Sequence, residues 1–403
     1  MAREFCPHCM KDVPPGSRYC PWCGQDAGAR AADHQLPVGT VLVSPARNSF
    51  LVGVAKGEGG FGITYIGKEL NSGRSVAIKE YFPTRCQPQR DLRGNLLPLE
   101  GTGEIYQRGK NSFLSEASMV RAVSGLSSIV QVLDFFEKNN TAYMVMNYLD
   151  GVTLRQALRA GQTFEPVPLL QKALPLMRDL GRLHRAGVLH RDIAPDNLML
   201  MPDGSLTLLD FGCARSMEDG RSMTVVLKPG FAPIEQYQTR GQGPYTDIYA
   251  LCATLYYCIT GQVPPAAPDR LFMAMTDGAD KLVPPGALGV EMDAELERLL
   301  LWGTELQPTA RPGSMEELAD RFEARLEELK PPPGPWIEDP PPPPLPPTLW
   351  QRLRAGRIWA AGYARTGQRR LQKLLDERAH MLLTAAGAVI LGLAILVLVL
   401  LFA

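Results

Sequence analysis

His190-Arg191-Asp192-Ile193-Ala194-Pro195-Asp196-Asn197 and, after the strand-like run Leu206–Leu209, Asp210-Phe211-Gly212 form the stretch on which the reading of this chain turns. Each block alone is short enough to arise by chance, so the residues around them decide. Upstream, Gly57-Glu58-Gly59-Gly60-Phe61-Gly62 has GxGxxG spacing. Glycines let a backbone approach phosphate oxygens and present N–H groups without side-chain obstruction. The same spacing serves dinucleotide-binding folds, where a helix follows the last glycine. Here Ile63-Thr64-Tyr65-Ile66 follows, and its β-branched and aromatic side chains favour a strand–turn–strand flap. Farther on, Val76-Ala77-Ile78-Lys79 sets a lysine at the end of an apolar strand, where only a charged ligand would justify it.

In this order and at these spacings the four motifs resemble the protein-kinase superfamily across residues 41–329. Lys79-Glu80-Tyr81-Phe82-Pro83 and Gly230-Phe231-Ala232-Pro233-Ile234-Glu235-Gln236-Tyr237 are similar to the bacterial eukaryotic-like (Hanks-type) serine/threonine branch. The resemblance implies an α+β, bilobal protein-kinase fold that uses ATP with Mg2+ or Mn2+ on protein substrates. Its small lobe would cover residues 41–147 and its large lobe 148–329. Phosphoryl transfer asks a protein mainly for positioning and charge neutralisation. By resemblance, Lys79 holds the α/β-phosphates and is oriented by Glu116, mid-helix, rather than by Glu104 outside the periodic run. Asp192 accepts or orients the proton of the substrate hydroxyl. Asn197 and Asp210 supply oxygen ligands to Mg2+, a hard cation. Gly57, Glu58, Gly59, Gly60, Phe61, Gly62, Thr64, Ala77, Met146 and Tyr148 surround the nucleotide, with Met146 opening the hinge between lobes.

Further correspondences concern the scaffold. Glu235 and Arg311 stand where such kinases keep a buried ion pair, and Asp247 where an aspartate fixes the catalytic loop. Arg191 stands where an arginine meets a phosphate on the activation loop, with Ser216, Ser222 and Thr224 as acceptors and autophosphorylation as the consequence. Three departures stand out. Serine/threonine kinases usually carry lysine two residues after the catalytic aspartate, and here that residue is Ala194. The threonine expected before Ala232-Pro233 is replaced by Leu227-Lys228, and the stretch from Lys79 to Glu116 implies an insertion around Cys86–Arg108. Ala194 leaves the choice between Ser/Thr and Tyr hydroxyls open. An ATP-binding pseudokinase scaffold is the alternative reading.

Periodicity supplies the coarse structure. Strands are predicted over Leu51–Lys56, Thr64–Lys68 and Ser75–Glu80, and Ile129–Glu137 with Ala142–Met146 flank the hairpin signal Asn139-Asn140. One helix, Lys110–Val123, interrupts them with Phe113, Ala117 and Val120 on one face. After Leu154 the pattern turns helical: Leu169–Ala186, Asp247–Thr260, Glu291–Trp302 and Ser314–Lys330.

The flanks carry their own chemistry. Cys6-Pro7-His8-Cys9 and Cys20-Pro21-Trp22-Cys23 give two CxxC turns, the pattern of a four-thiolate structural Zn2+ site resembling zinc ribbons, placed at residues 1–28. His8 inside the first turn is expected to be exposed, and no thioredoxin-like unit supports a redox role. The other four of the eight cysteines are scattered, as reduced thiols are. Charge balances at 42 basic and 42 acidic residues, and Arg3, Lys11 and Arg18 are too few for a nucleic-acid footprint. A proline-rich linker is expected over 330–348 and a basic segment with Trp350, Trp359 and Tyr363 over 349–380. Met381–Ala403 holds no charge and, at about 1.5 Å per residue, would cross a bilayer as one helix. Its basic flank and the absence of an apolar leader put the kinase and zinc ribbon in the cytoplasm, anchored to the cell membrane by the C-terminus. Thr384, Ala388 and Gly392 share one face of that span, through which two copies could pair as a homodimer.

Overall fold

A computed structural model describes residues 4–123, 125–209, 215–216, 227–238 and 241–330. The expected linker, basic segment and membrane span, and with them Asp210, Ser222 and Thr224, lie outside the described residues. Among those described, no helix is long and apolar enough to cross a membrane.

The chain opens on a hairpin of β1 (Glu4–Phe5) and β2 (Asp12–Val13). Then come β3 (Val41–Val43), β4 (Ser49–Gly59), β5 (Gly62–Glu69) and β6 (Ser75–Tyr81). A second hairpin, β7 (Gln89–Arg90) with β8 (Leu96–Leu97), precedes helix α1 (Gly103–Ala122). Next are β9 (Val132–Lys138) and β10 (Thr141–Asn147), joined through Asn139 and Asn140, both at positive φ as the tight turn requires. Six of these strands form one antiparallel sheet in the order β3-β4-β5-β6-β10-β9.

Helix α1 begins seven residues before the predicted Lys110, so the insertion ends near Thr102 rather than Arg108. The reason is visible on its inner face. Tyr106, Gly109, Lys110, Phe113, Glu116, Ala117 and Val120 are all buried, and three of these seven, Gly109, Lys110 and Glu116, are poor markers of an apolar stripe. Gly109 is there because a Cβ would lie 2.1 Å from the Tyr81 hydroxyl oxygen. Lys110 reaches Glu137 of β9 at 2.7 Å. Glu104, expected outside the helix, is in its first turn, with its side chain 94% exposed. Val132, not Ile129, opens β9; Ile129 instead bridges Leu208 in parallel.

The insertion is fastened to the sheet by a buried polar knot. Glu80 on β6 is fully buried, and Arg90 Nη2 donates to both its oxygens at 3.0 and 2.9 Å. The hydroxyls of Tyr65 and Tyr143 donate to the same carboxyl, each at 2.9 Å. Burial pushes this carboxyl's pKa up; Arg90 and the two phenols oppose the shift. Arg90 also donates to the carbonyls of Gly94 and His34, tying the insertion and the N-terminal linker to one point.

The second lobe is built on α2 (Leu154–Arg159), α3 (Pro166–Arg185), α4 (Ile234–Tyr237), α5 (Pro244–Thr260), α6 (Ala267–Thr276), α7 (Ala294–Gly303) and α8 (Met315–Glu328). Helix α5 is buried nearly all round and packs against α3, α7 and α8. Caps set the boundaries that periodicity placed a few residues off: Thr153 and Gln156 form a capping box, and Asp293 and Ser314 cap α7 and α8. Prolines at the starts of α3 and α5 need no N–H partner there. Short strands make two further small sheets, β11 (Val152–Thr153) with β13 (Leu198–Leu200) and β14 (Leu206–Leu208), and β12 (Val188–Leu189) with β15 (Arg215–Ser216). β13 and β14 bracket the turn between His190–Asn197 and Asp210–Gly212, leaving Asp192 and Asn197 in the loop before β13.

Candidate active site

The glycine cluster is a hairpin, as the residues after it suggested: Gly57 pairs with Thr64, Glu58 with Ile63 and Gly59 with Gly62. Its glycines do different jobs. A Cβ on Gly57 or Gly59 would meet nothing within 4 Å, so both leave open space over the cleft. One on Gly62 would strike the Glu80 carbonyl oxygen at 2.5 Å, so the strand itself excludes a side chain there. That position also lies 3.6 Å from Lys79 Cε, which puts the lysine stem directly under the flap. The tip is tied down sideways. Thr84 N–H donates to the Gly60 carbonyl at 3.1 Å, and Phe82 N–H to the Phe61 carbonyl at 3.0 Å. Glu58 turns to the linker, accepting from His34 at 3.1 Å and from Gln35, and this contact with Gln35 and then His34 holds its carboxyl below the usual range.

Lys79 is buried on β6, opposite Thr64 on one side and Met144 on the other. Glu116 is buried on α1, which packs on β9 and β10. Ala77 pairs with Met146 at the end of β10, and half-buried Tyr148 follows it in the segment joining the lobes. An open, glycine-rich flap above a buried lysine is the kind of cradle a nucleoside triphosphate fits.

The catalytic-loop residues converge from the other lobe. Asn197 Nδ2 donates to the Asp192 carbonyl at 2.7 Å and to its Oδ2 at 2.8 Å. With its amide nitrogen so committed, the side-chain carbonyl oxygen of Asn197 is the atom that could ligate a hard cation. Its expected co-ligand Asp210 lies outside the described residues. The other oxygen of Asp192, Oδ1, meets Lys228 Nζ at 2.9 Å, a contact no motif announced.

Beneath this loop, Asp247 on α5 is fully buried and accepts from His190 N–H at 2.8 Å and Arg191 N–H at 2.7 Å. His184 Nε2 lies 2.8 Å from the same carboxyl. Burial works against its charge, yet the histidines and N–H donors outweigh that and keep its pKa below the ordinary carboxylate range. Arg191 sits at φ 65°, a left-handed conformation rare for an arginine, which Asp247 holds through its N–H. The Arg191 carbonyl in turn accepts from Gln236 Nε2 at 2.7 Å, so the catalytic loop and α4 are stitched together. Glu235 and Arg311 meet at 2.7 Å, both buried, and Thr246 Oγ1 adds a 3.0 Å bond to Glu235.

A second cluster lies at the N-terminus. The sulfurs of Cys6, Cys9, Cys20 and Cys23 all lie within 4.8 Å of one another, with Cys6–Cys23 and Cys9–Cys20 each at 3.7 Å. Four sulfurs about 2.3 Å from one ion stand roughly 3.8 Å apart in a tetrahedron, so the set fits a thiolate metal site. His8 is not part of it. What the motif did not reveal is where the knuckle sits: against the back of the glycine hairpin. Val54 N–H donates to the Pro7 carbonyl at 3.0 Å, and Lys56 Nζ to the His8 carbonyl at 2.8 Å. Lys68 pairs with Asp12 at 3.0 Å, and a Cβ on Gly53 would lie 2.4 Å from the Pro7 carbonyl oxygen.

Comparison with known proteins agrees with this geometry. The protein kinase domain family matches residues 52–322. A probable serine/threonine-protein kinase of Streptomyces coelicolor is 28% identical over 68% of this chain and 40% of its own length. The serine/threonine-protein kinase PknB of Mycobacterium tuberculosis is 26% identical over 71% of this chain and 44% of its own. The chain thus spans less than half the length of these curated relatives. Among solved structures, the apo form of PpkA-294 is 33% identical with a TM-score of 0.60, over 72% of this chain and 99% of that one. The chain belongs to the protein kinase family, in its bacterial Hanks-type serine/threonine branch.

Proposed function

We propose that this chain transfers the γ-phosphoryl group of ATP to serine and threonine hydroxyls of proteins, with Mg2+ or Mn2+ bound at Asn197 and Asp210. The observation that carries this reading is Asp192, held by Asn197 on one oxygen and seated on a loop that buried Asp247 fixes. In that role Asp192 takes the proton of the attacking hydroxyl, Lys79 neutralises phosphate charge, and the flap keeps water from the reacting group. The test is incubation of the full chain with labelled ATP, Mg2+ and casein, followed by phosphosite mapping. Phosphoserine and phosphothreonine are expected; phosphotyrosine alone would overturn the hydroxyl assignment. ATP binding without turnover would instead make the chain a pseudokinase scaffold.

The flanks extend the proposal. Cys6, Cys9, Cys20 and Cys23 hold one structural Zn2+, and Met381–Ala403 anchors the chain to the cell membrane with the kinase on the cytoplasmic side. Confinement in the membrane favours phosphorylation between copies at Ser222 or Thr224, where Arg191 receives the phosphate. Reconstituted vesicles test both ideas. The chain is expected to stay in the bilayer through carbonate extraction, and Asp192→Asn copies to be phosphorylated by active ones in the same vesicle. Release by carbonate would sink the anchor, and unmodified Asp192→Asn copies would sink the transfer between molecules.

A further inference from the structure

The catalytic loop carries no lysine two residues after Asp192: residue 194 is alanine, fully buried in a small cluster with Phe231, Tyr249 and Ala253. Yet a cation stands at the reacting carboxylate. Lys228 Nζ is 2.9 Å from Asp192 Oδ1, with the lysine side chain 30% exposed and that of Asp192 22% exposed. Lys228 comes from the opposite side of the loop, more than thirty residues later in sequence, and its position is built in. Its carbonyl accepts from Phe231 N–H at 3.1 Å and Ala232 N–H at 3.0 Å, closing a turn through Pro229 and Gly230. Gly230 has φ 87°, and a Cβ on it would strike the Pro264 carbonyl oxygen at 2.6 Å. Phe231 and Ala232 are buried, and Gln236 ties the same segment to the Arg191 carbonyl at 2.7 Å.

We propose that Lys228 is the catalytic cation of this kinase, supplying from the activation segment the charge that the loop does not carry at Ala194. The inference rests on the kinase reading above. As the acceptor oxygen bonds to the γ-phosphorus, the bond from that phosphorus to the β–γ bridging oxygen breaks, and ADP leaves with the electron pair. The hydroxyl proton passes to Asp192. An ammonium group has three donors; one meets Asp192 and holds its carboxylate in place, and the others are there for an oxygen of the moving phosphoryl group. Because Lys228 belongs to the segment that also carries Phe231 and Gln236, the cation is in place only when that segment is docked. Segment order and catalytic charge are therefore one event in this chain.

Lys228→Met, assayed as the full chain with Mg2+, ATP and casein, is expected to lower kcat by about 10²–10³-fold. KM for ATP should stay within about threefold, because the group acts on the transition state rather than on ground-state binding. Lys228→Arg, which keeps the charge, is expected to retain at least about a tenth of wild-type kcat. A methionine variant with more than half of wild-type kcat would overturn the proposal, as would a rise in KM that matches the loss of rate. Should the methionine variant fail to fold, the arginine variant decides alone: a tenth or more of wild-type kcat supports the charge, and less overturns it. Wild-type turnover is the control that separates the two claims. An inactive wild type sinks the kinase reading, whereas an active Lys228→Met sinks only the role of Lys228.

Discussion

Asp192→Asn is expected to lower kcat by about 10²–10⁴-fold, the range for removing a general base, while the melting temperature barely moves. The geometry explains both halves. Asp192 accepts from Asn197 on Oδ2 and from Lys228 on Oδ1. A carboxamide has only one accepting oxygen, so its NH2 group must face one of those donors and also cannot take a proton. The side chain is 22% exposed, so solvent softens the mismatch and the fold survives. Lys79→Met should fail differently, because Lys79 is buried under the flap and meets phosphate rather than the acceptor: ATP affinity falls together with turnover. Calorimetric ATP titration beside steady-state kinetics separates the two. An Asp192→Asn chain keeping more than a tenth of its kcat would remove Asp192 from the chemistry.

Metal analysis of gently purified protein is expected to return one zinc per chain, lost in Cys20→Ser/Cys23→Ser. A four-thiolate site of this kind binds with about 10–16 kcal/mol, far more than so small a segment gains by burying its own side chains. The consequence should travel beyond the knuckle, because Pro7 and His8 are bonded to Val54 and Lys56 on the strand that leads into the glycine flap. Hydrogen exchange at the Val54 amide should therefore quicken in the double variant. Zinc that survives the double change, or none in the wild type, would refute the site.

Much of this was legible in one dimension because it depends on local chemistry. Ile63-Thr64-Tyr65-Ile66 could only continue as a strand, and that choice separated a phosphate flap from a dinucleotide turn. The start of α1 was not legible, because three-dimensional neighbours, Tyr81 and Glu137, justify Gly109 and Lys110 on a buried face. The same holds at the active site. Asp192 and Asn197 are five residues apart and declare themselves, whereas Lys228 reaches Asp192 only through the turn at Gly230. Ala194 and Lys228 each stood out as departures; that one answers the other is visible only in the fold. The docking of the knuckle was likewise hidden, since its only trace in the sequence is a glycine, Gly53, in the middle of a strand.

The polar knot under the flap restricts how this lineage can change. Glu80 receives four hydrogen bonds with no exposed surface, so a descendant that loses Arg90 keeps a buried carboxylate without its cation. Such a half-pair costs about 3–5 kcal/mol, a large part of what a domain has to lose, whereas exchanging both residues for apolar ones of similar volume can be neutral. The two positions are thus separated by a fitness valley that single substitutions cannot cross cheaply. Glu80 and Arg90 should vary together or not at all, and the insertion that brings Arg90 should be inherited with them as one block.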